Sequence, residues 1–360
     1  MTGRLVTGRP VTTRPGTGRA VIRRFGLPVG LVLAATLAAA MPMLVDTFQL
    51  TQLTVFVCMS ILSLSLGFIW GFAGILCFGQ AAFFGLGGYT YAVAAINLGE
   101  STLPIALAVL VPVIFAALLG YFMFYGQISD VYLGVITLTV TLILFNLVNS
   151  TAGDEYTIGS AALGGFNGIP SVPGINLPGD PDNVFGPEQN WYLTSGCLIA
   201  VYAGLKLLLG AKFGRVVVAI RENETRAALL GYDPRRYKLV AFMIGGGVAG
   251  LAGCLFTNWG AFISPTIFGL ATSAQIIIWV TIGGLGTLLG PILGCFAIQY
   301  LVTSIGTQQT LNANLILGVI LLVFVLLVPR GVLPVLGSLV ARLAARRPPE
   351  IARPAVETSR

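Results

Sequence analysis

Residues 239–329 carry no charged side chain of either sign, and no lysine or arginine falls between Arg24 and Lys206. A water-soluble surface cannot be built from such stretches. Soluble domains carry about 25% charged residues, whereas this chain has 20 Lys/Arg and 13 Asp/Glu in 360 residues, 9% in all, against 56% hydrophobic. Its solvent is therefore mostly lipid, and one all-α polytopic membrane bundle accounts for the length better than two soluble domains. The net charge of +7 comes from clusters and not from a broad basic face with interleaved aromatics, so nucleic acid is not a partner.

The positions of the charges give a topology. Lys and Arg fall in three blocks, within residues 1–24, 206–238 and 330–360, and the Lys/Arg-free gap holds Asp46, Glu100, Asp130, Asp154, Glu155, Asp180, Asp182 and Glu188. Positive residues close to spans stay in the cytoplasm, while acids contribute little to orientation. All three basic blocks, and with them both termini, are expected inside. A span needs roughly 20 apolar residues, and six fit before Lys206, near 26–45, 49–70, 73–97, 103–125, 131–150 and 190–210. Two more flank a long apolar stretch, at 239–259 and 311–328. That stretch, 272–305, is expected to cross twice, broken at Gly283-Gly284-Leu285-Gly286-Thr287-Leu288-Leu289-Gly290-Pro291, because Gly and Pro interrupt helices. The total is about ten transmembrane helices, with eight plus a re-entrant hairpin as the alternative.

The division expected is a disordered basic tail at 1–24, a membrane domain at 25–335 and a second basic tail at 336–360. The first tail repeats an Arg-bearing pentad from Thr2 to Arg19 with no apolar face, and it cannot bury enough to order itself. Arg23-Arg24 before an apolar run also resemble a secretory signal, but the run continues past Ala38-Ala39-Ala40 to Val45, favouring an uncleaved first span. Within the membrane domain lie an external, acidic, Pro-rich loop at 151–189 and a cytoplasmic loop at 211–238.

Several chemistries are missing. The chain has no histidine, so a His-based zinc site or a Ser/His/Asp triad is excluded. Cys58, Cys77, Cys197, Cys254 and Cys295 have no metal-ligand spacing. No Gly-Lys dipeptide occurs, so there is no Walker A loop. No carboxylate is placed at membrane depth to carry a proton, which leaves a sodium-coupled carrier as the self-sufficient alternative. The chain is not expected to be an enzyme or to bind a cofactor.

Two glycine-rich segments lie in opposed spans. Residues 67–88 hold seven glycines among Trp70, Gln80, Phe83 and Phe84, and the second segment is 283–294. Interrupted helices in corresponding halves line transport paths, although glycines also permit close packing. Candidates for a solute pathway are Trp70, Gly74, Gln80, Phe83, Gly87, Gly283, Gly284 and Gly286, with the uncharged polar residues Asn146, Asn258 and Gln275. Such a passage suits a net-neutral solute. In the basic loop, residues 221–230 suit one short helix, with Glu222 and Glu224 in its first turn and Gly231 as a left-handed stop. Asp233-Pro234 then turns the chain. A helix this short needs a packing partner.

That loop, reading Ala219-Ile220-Arg221-Glu222-Asn223-Glu224 and then Arg226-Ala227 and Leu230-Gly231-Tyr232, resembles the loop of permease subunits of ATP-binding-cassette importers for branched-chain amino acids. Three other segments agree: Trp70-Gly71-Phe72-Ala73-Gly74 running into Phe78-Gly79-Gln80, Gly164-Gly165-Phe166-Asn167-Gly168-Ile169-Pro170, and Ile282 to Pro291. Permeases of urea importers are closely similar. The resemblance covers about residues 50–335 and implies a cobalamin-importer-like fold with inverted repeats in the bacterial inner membrane. It also implies a second permease, two cytoplasmic ATPases that hold ATP and magnesium, an extracytoplasmic solute-binding protein and surrounding lipid. The loop helix of such permeases docks on the ATPase, which carries that role to Arg221, Glu222, Asn223, Glu224, Arg226, Leu229 and Gly231.

Overall fold

A computed structural model describes residues 17–306, apart from 154, 178 and 179, together with Gly318. The described helices are α1 (Thr17–Leu44), α2 (Thr47–Ala73), α3 (Gln80–Leu98), α4 (Thr102–Tyr125), α5 (Asp130–Asn149), α6 (Pro187–Gly210), α7 (Lys212–Glu222), α8 (Glu224–Leu229), α9 (Pro234–Gly260), α10 (Leu270–Gly283) and α11 (Leu289–Gly306). Six of these, α2 to α6 and α9, are long and apolar enough to cross a membrane. The chain is a multi-pass membrane protein. The expected span at 311–328 and the tails 1–16 and 330–360 lie outside the described residues.

Three differences from the sequence reading have physical causes. Helix α1 begins at Thr17, so the last part of the supposed disordered tail is helical, because extending a formed helix adds one hydrogen bond per residue fixed. The 151–186 loop is not purely irregular. It holds two antiparallel ribbons, β1 (Thr157–Ile158) with β2 (Ala161–Ala162) and β3 (Asn176–Leu177) with β4 (Asp180–Val184). The loop ends earlier than expected, since Pro187 opens α6 and Gln189 Oε1 accepts a hydrogen bond from the Gly186 N–H at 2.9 Å. Finally, α10 has 14 residues, which rise about 21 Å, less than the roughly 30 Å of a hydrocarbon core.

Helices α2, α3 and α9 form the centre, with α4 packed on α3 and α9, and α6, α10 and α11 on α2. Polarity does not separate the central helices from the peripheral ones, because all are apolar. Small residues do. A side chain at Gly250 would meet the Ala108 carbonyl and Pro112 of α4, and one at Gly246 would meet Ala116. Gly87 of α3 lies against the backbone of Gly250, Gly253 against the Phe84 carbonyl, and Gly245 against Ile69 of α2. Glycines allow this approach, and in lipid close packing is the main attraction between helices.

The 151–186 loop is fastened at three helix ends. The Ser101 N–H before α4 donates to Asn176 Oδ1 at 2.9 Å, and Asn97 at the end of α3 donates to the Ile158 carbonyl at 2.8 Å. Asn258 of α9 accepts from the Ile175 N–H at 2.7 Å and donates to Asn190 Oδ1 of α6 at 2.9 Å. Ile169 bridges Ile263.

Gly250→Val is expected to cost about 3 kcal/mol or more through overpacking against the Ala108 carbonyl and the Pro112 ring. Gly204→Ala, where nothing lies within 4 Å of the added carbon, is expected to be neutral. Thermal unfolding of the two variants in detergent measures the contrast.

Candidate functional site

The basic loop folds as a helix pair and not as the single helix expected over 221–230. Lysine and arginine side chains alternate along α7 with Val216, Val217 and Ile220, which are buried. Val216 and Ile220 pack with Ala227 of α8 and Tyr237 of α9 in a small separate core, while Val217 joins the main one, and the Phe213 and Tyr237 rings stack with centroids 5.6 Å apart. Asn223 is extended, at φ −159° and ψ 100°, so it ends α7 and caps α8, its Oδ1 accepting from the Arg226 N–H at 2.8 Å. Asparagine favours this position because its short side chain satisfies a free N–H of the first turn. Glu222 therefore closes α7, and only Glu224 lies in the first turn of α8. Gly231 adopts the left-handed stop at φ +88°.

Electrostatics hold the pair to the membrane helices. Lys238 of α9 pairs with Glu224 at 2.6 Å, and Asp233 caps α9 by accepting from the Arg235 N–H at 3.1 Å. The tip is uncovered by the other described residues: Leu229 is 84% exposed and Leu230 72%, beside exposed Glu222 and Arg226. An apolar tip rimmed by both charge signs is a surface suited to another protein.

Arg221 points the other way. Its Nη1 donates to the Gly71 carbonyl in the last turn of α2, and its other nitrogen pairs with Glu222. Gly74 ends α2 at φ +71° and lies against the Arg221 side chain. The N–H groups of Gly74 and Ile75 both donate to the Ile69 carbonyl, the second at 3.2 Å, closing the end of the helix. A side chain at Gly71 would come within 3.0 Å of the Gly286 nitrogen, and Ser63 donates to the Pro291 carbonyl at 3.0 Å. The basic loop, the α2–α3 break (74–79) and the α10–α11 break (284–288) thus form one connected line.

The pathway candidates fall in several environments. Trp70 is half-buried against the core. Gln80 and Phe83 are buried. The Gln80 amide donates to Ser65 Oγ at 2.8 Å and to the Gly245 carbonyl at 3.2 Å, while Phe83 lies edge-on to Phe115 and Phe242. Gly87 sits in the α3–α9 crossing. Asn146 is exposed and bonds its own helix at Leu142. Asn258 is the loop fastener described above. Gly283 packs on the Gly290 backbone, and Gly284 and Gly286 have φ of +102° and +85°. Gln275 lines a cavity of about 380 Å³ between the end of α9 and α10, and Gly286 lines one of about 580 Å³ beside α6 and α7.

Two features escaped sequence reasoning. One is Gly71, whose importance lies in a carbonyl and not in a side chain. The other is the break at 261–269, where Ala261 ends α9 at φ +46° and Pro265–Phe268 form a 3-10 turn. Pro265 between Gly260 and Gly269 was the available signal.

The family described as branched-chain amino acid transport system / permease component matches residues 48–328. The chain is 31% identical to the high-affinity branched-chain amino acid transport system permease protein LivM of Escherichia coli (strain K12), with 84% of this chain and 74% of that protein covered. It is 26% identical to the probable branched-chain amino acid transport permease protein LivM of Methanocaldococcus jannaschii, covering 76% and 90%. The inner membrane ABC transporter permease protein YjfF of Escherichia coli (strain K12) is 34% identical over 36% of this chain and 42% of its own length. No solved structure matches.

Removing a charge-assisted hydrogen bond costs roughly 1.5 kcal/mol or more. Arg221→Ala is therefore expected to speed amide exchange at Ile75 by about tenfold, with little change at Gly253 in the α3–α9 crossing. Hydrogen-exchange mass spectrometry reads both segments.

Proposed function

The chain belongs to the branched-chain amino acid transport system permease family, and on that premise we propose that it is the transmembrane permease subunit of an ATP-driven importer for branched-chain or related neutral amino acids. It forms part of the solute pathway and takes its energy from two cytoplasmic ATPases, which hold the ATP and magnesium. A second permease of the family completes the pathway, and an extracytoplasmic binding protein delivers solute to the face that carries the 151–186 loop. The membrane is the bacterial inner membrane, with both termini cytoplasmic.

The observation that carries this reading is the Arg221 contact with the Gly71 carbonyl. ATP can shift an inward/outward equilibrium only through contacts that differ between the two states. The exposed tip of α8 is the surface for an ATPase, and Arg221 is where a displacement of that tip meets the α2 end and, through Gly71, the Gly286 turn. The ion pair of Lys238 with Glu224 keeps α8 and α9 moving together. A passage without charges from 239 to 329 favours a solute of zero net charge, because an ion would cross it uncompensated.

The proposed fold is the ten-span, cobalamin-importer-like bundle with inverted repeats. Helices α2 and α9 support it. Each has 27 residues, each ends at a left-handed residue, Gly74 or Ala261, and each is followed by an irregular break and another helix. With four crossings between them, α3 to α6, the two run in opposite directions. This pairs the 74–79 break with 261–269, where the glycine counts had paired 67–88 with 283–294.

Glu222→Lys combined with Arg226→Glu is expected to abolish both uptake and ATPase co-purification while membrane insertion is unchanged. Normal uptake by that variant would sink the coupling assignment. Arg221→Ala separates attachment from transmission: the ATPases are expected to remain bound and active while leucine uptake falls about tenfold, measured in proteoliposomes.

A further inference from the structure

We infer that the cavity beside the 261–269 break is a binding station for the zwitterionic amino acid, held by the Trp279 indole N–H and the Gln275 amide against an aromatic wall. This rests on the importer reading above and assigns the solute to particular residues.

The cavity, about 380 Å³, is bounded by Phe84 of α3, Phe256 and Trp259 of α9, the 262–267 segment, and Thr272, Gln275 and Trp279 of α10. Its size falls within the range of small-ligand sites, and its lining has their usual character, mostly apolar with a few polar groups. It opens beside Phe262 and Thr266, both exposed. Helix α9 runs from the basic loop to this cavity, so the cavity lies on the face opposite that loop, where an imported solute enters.

The polar groups are not all used by the fold. Ser264 and Thr266 bond each other at 2.6 Å, and Thr272 bonds the Thr266 carbonyl at 3.3 Å. Trp279 is 1% exposed, and its indole N–H has no acceptor among the described residues. An indole N–H can only donate, and leaving a donor buried and unmatched costs about 1–3 kcal/mol. We assign the missing acceptor to the bound solute. Gln275 on the same wall makes no hydrogen bond among the described residues and can donate and accept.

The chemistry of the occupant follows. A carboxylate is the strongest acceptor for the two donors. An ammonium group on the same molecule can lie over the faces of Phe256 and Trp259, whose rings are 5.7 Å apart between centroids, and can bond the hydroxyls of Ser264 and Thr266. The remaining wall, including Met59 and Phe84, suits a branched aliphatic side chain. With no charged residue from 239 to 329, a basic or acidic side chain would be left uncompensated. The station therefore takes zwitterions with apolar side chains.

The test uses the intact importer, with its partner subunits, carrying Thr272→Cys in the permease. The other thiols are buried or half-buried, and the unsubstituted protein gives the labelling background. Leucine is expected to slow maleimide labelling, and lysine and glutamate are not. Adding Trp279→Phe, which keeps the ring and removes the donor, is expected to raise the leucine concentration needed by about tenfold. A conformational effect remote from the cavity would leave that concentration unchanged and would overturn the assignment. Phe262→Cys, also on the cavity lining, is the second reporter if the first does not assemble. Leucine uptake with no protection at either position overturns the station alone. Uptake of and protection by urea in place of leucine overturns both the station's ligand class and the importer reading beneath it.

Discussion

In a bilayer the lipid tails are as apolar as leucine, so helices gain little by hiding hydrophobic surface from them, and close contact must hold the bundle. Helix α9 meets that requirement with a run of glycines that face different neighbours: Gly245 meets α2, Gly246 and Gly250 meet α4, and Gly250 and Gly253 meet α3. Everything central is measured from this helix. Its first turn is tied to the loop helix α8 through Lys238, and its last part holds the 151–186 loop through Asn258. One packed element therefore spans from the basic loop to the opposite face.

Polar groups within such a bundle are either matched inside it or available to a ligand. Asn258 shows the first case, with both ends of its amide engaged. Gln80 shows it in part: its amide nitrogen bridges α2 and α9 across the start of α3, while its buried Oε1 has no partner among the described residues. The Trp279 indole N–H has no acceptor among the described residues and belongs to a side chain that lines a cavity.

The basic loop joins these two regimes. Its own small core of Val216, Ile220, Ala227 and Tyr237 makes it a compact unit and not a floppy tether. Arg221 then reaches a backbone carbonyl at the end of α2, one step from the Gly286 turn. A stiff unit bonded to the end of a packed helix can pass on a displacement that a flexible segment would absorb.

The sequence by itself determined the membrane class and the place of the basic loop between apolar helices, because charge scarcity and the Arg-free gap are properties of order along the chain. It also located the break at 283–291 and the left-handed stop at Gly231, which depend on local backbone freedom. Tertiary structure decided the rest. Asn223 splits the loop helix because the buried faces of α7 and α8 close on one shared core, and residue spacing alone carries no record of that packing. Gln80 and Asn258 read as polar residues within spans, yet their partners are far away in sequence. Gly71 carries its role in a carbonyl common to every residue type. The break after α9 also needed three dimensions, since its left-handed residue is Ala261 and not a glycine.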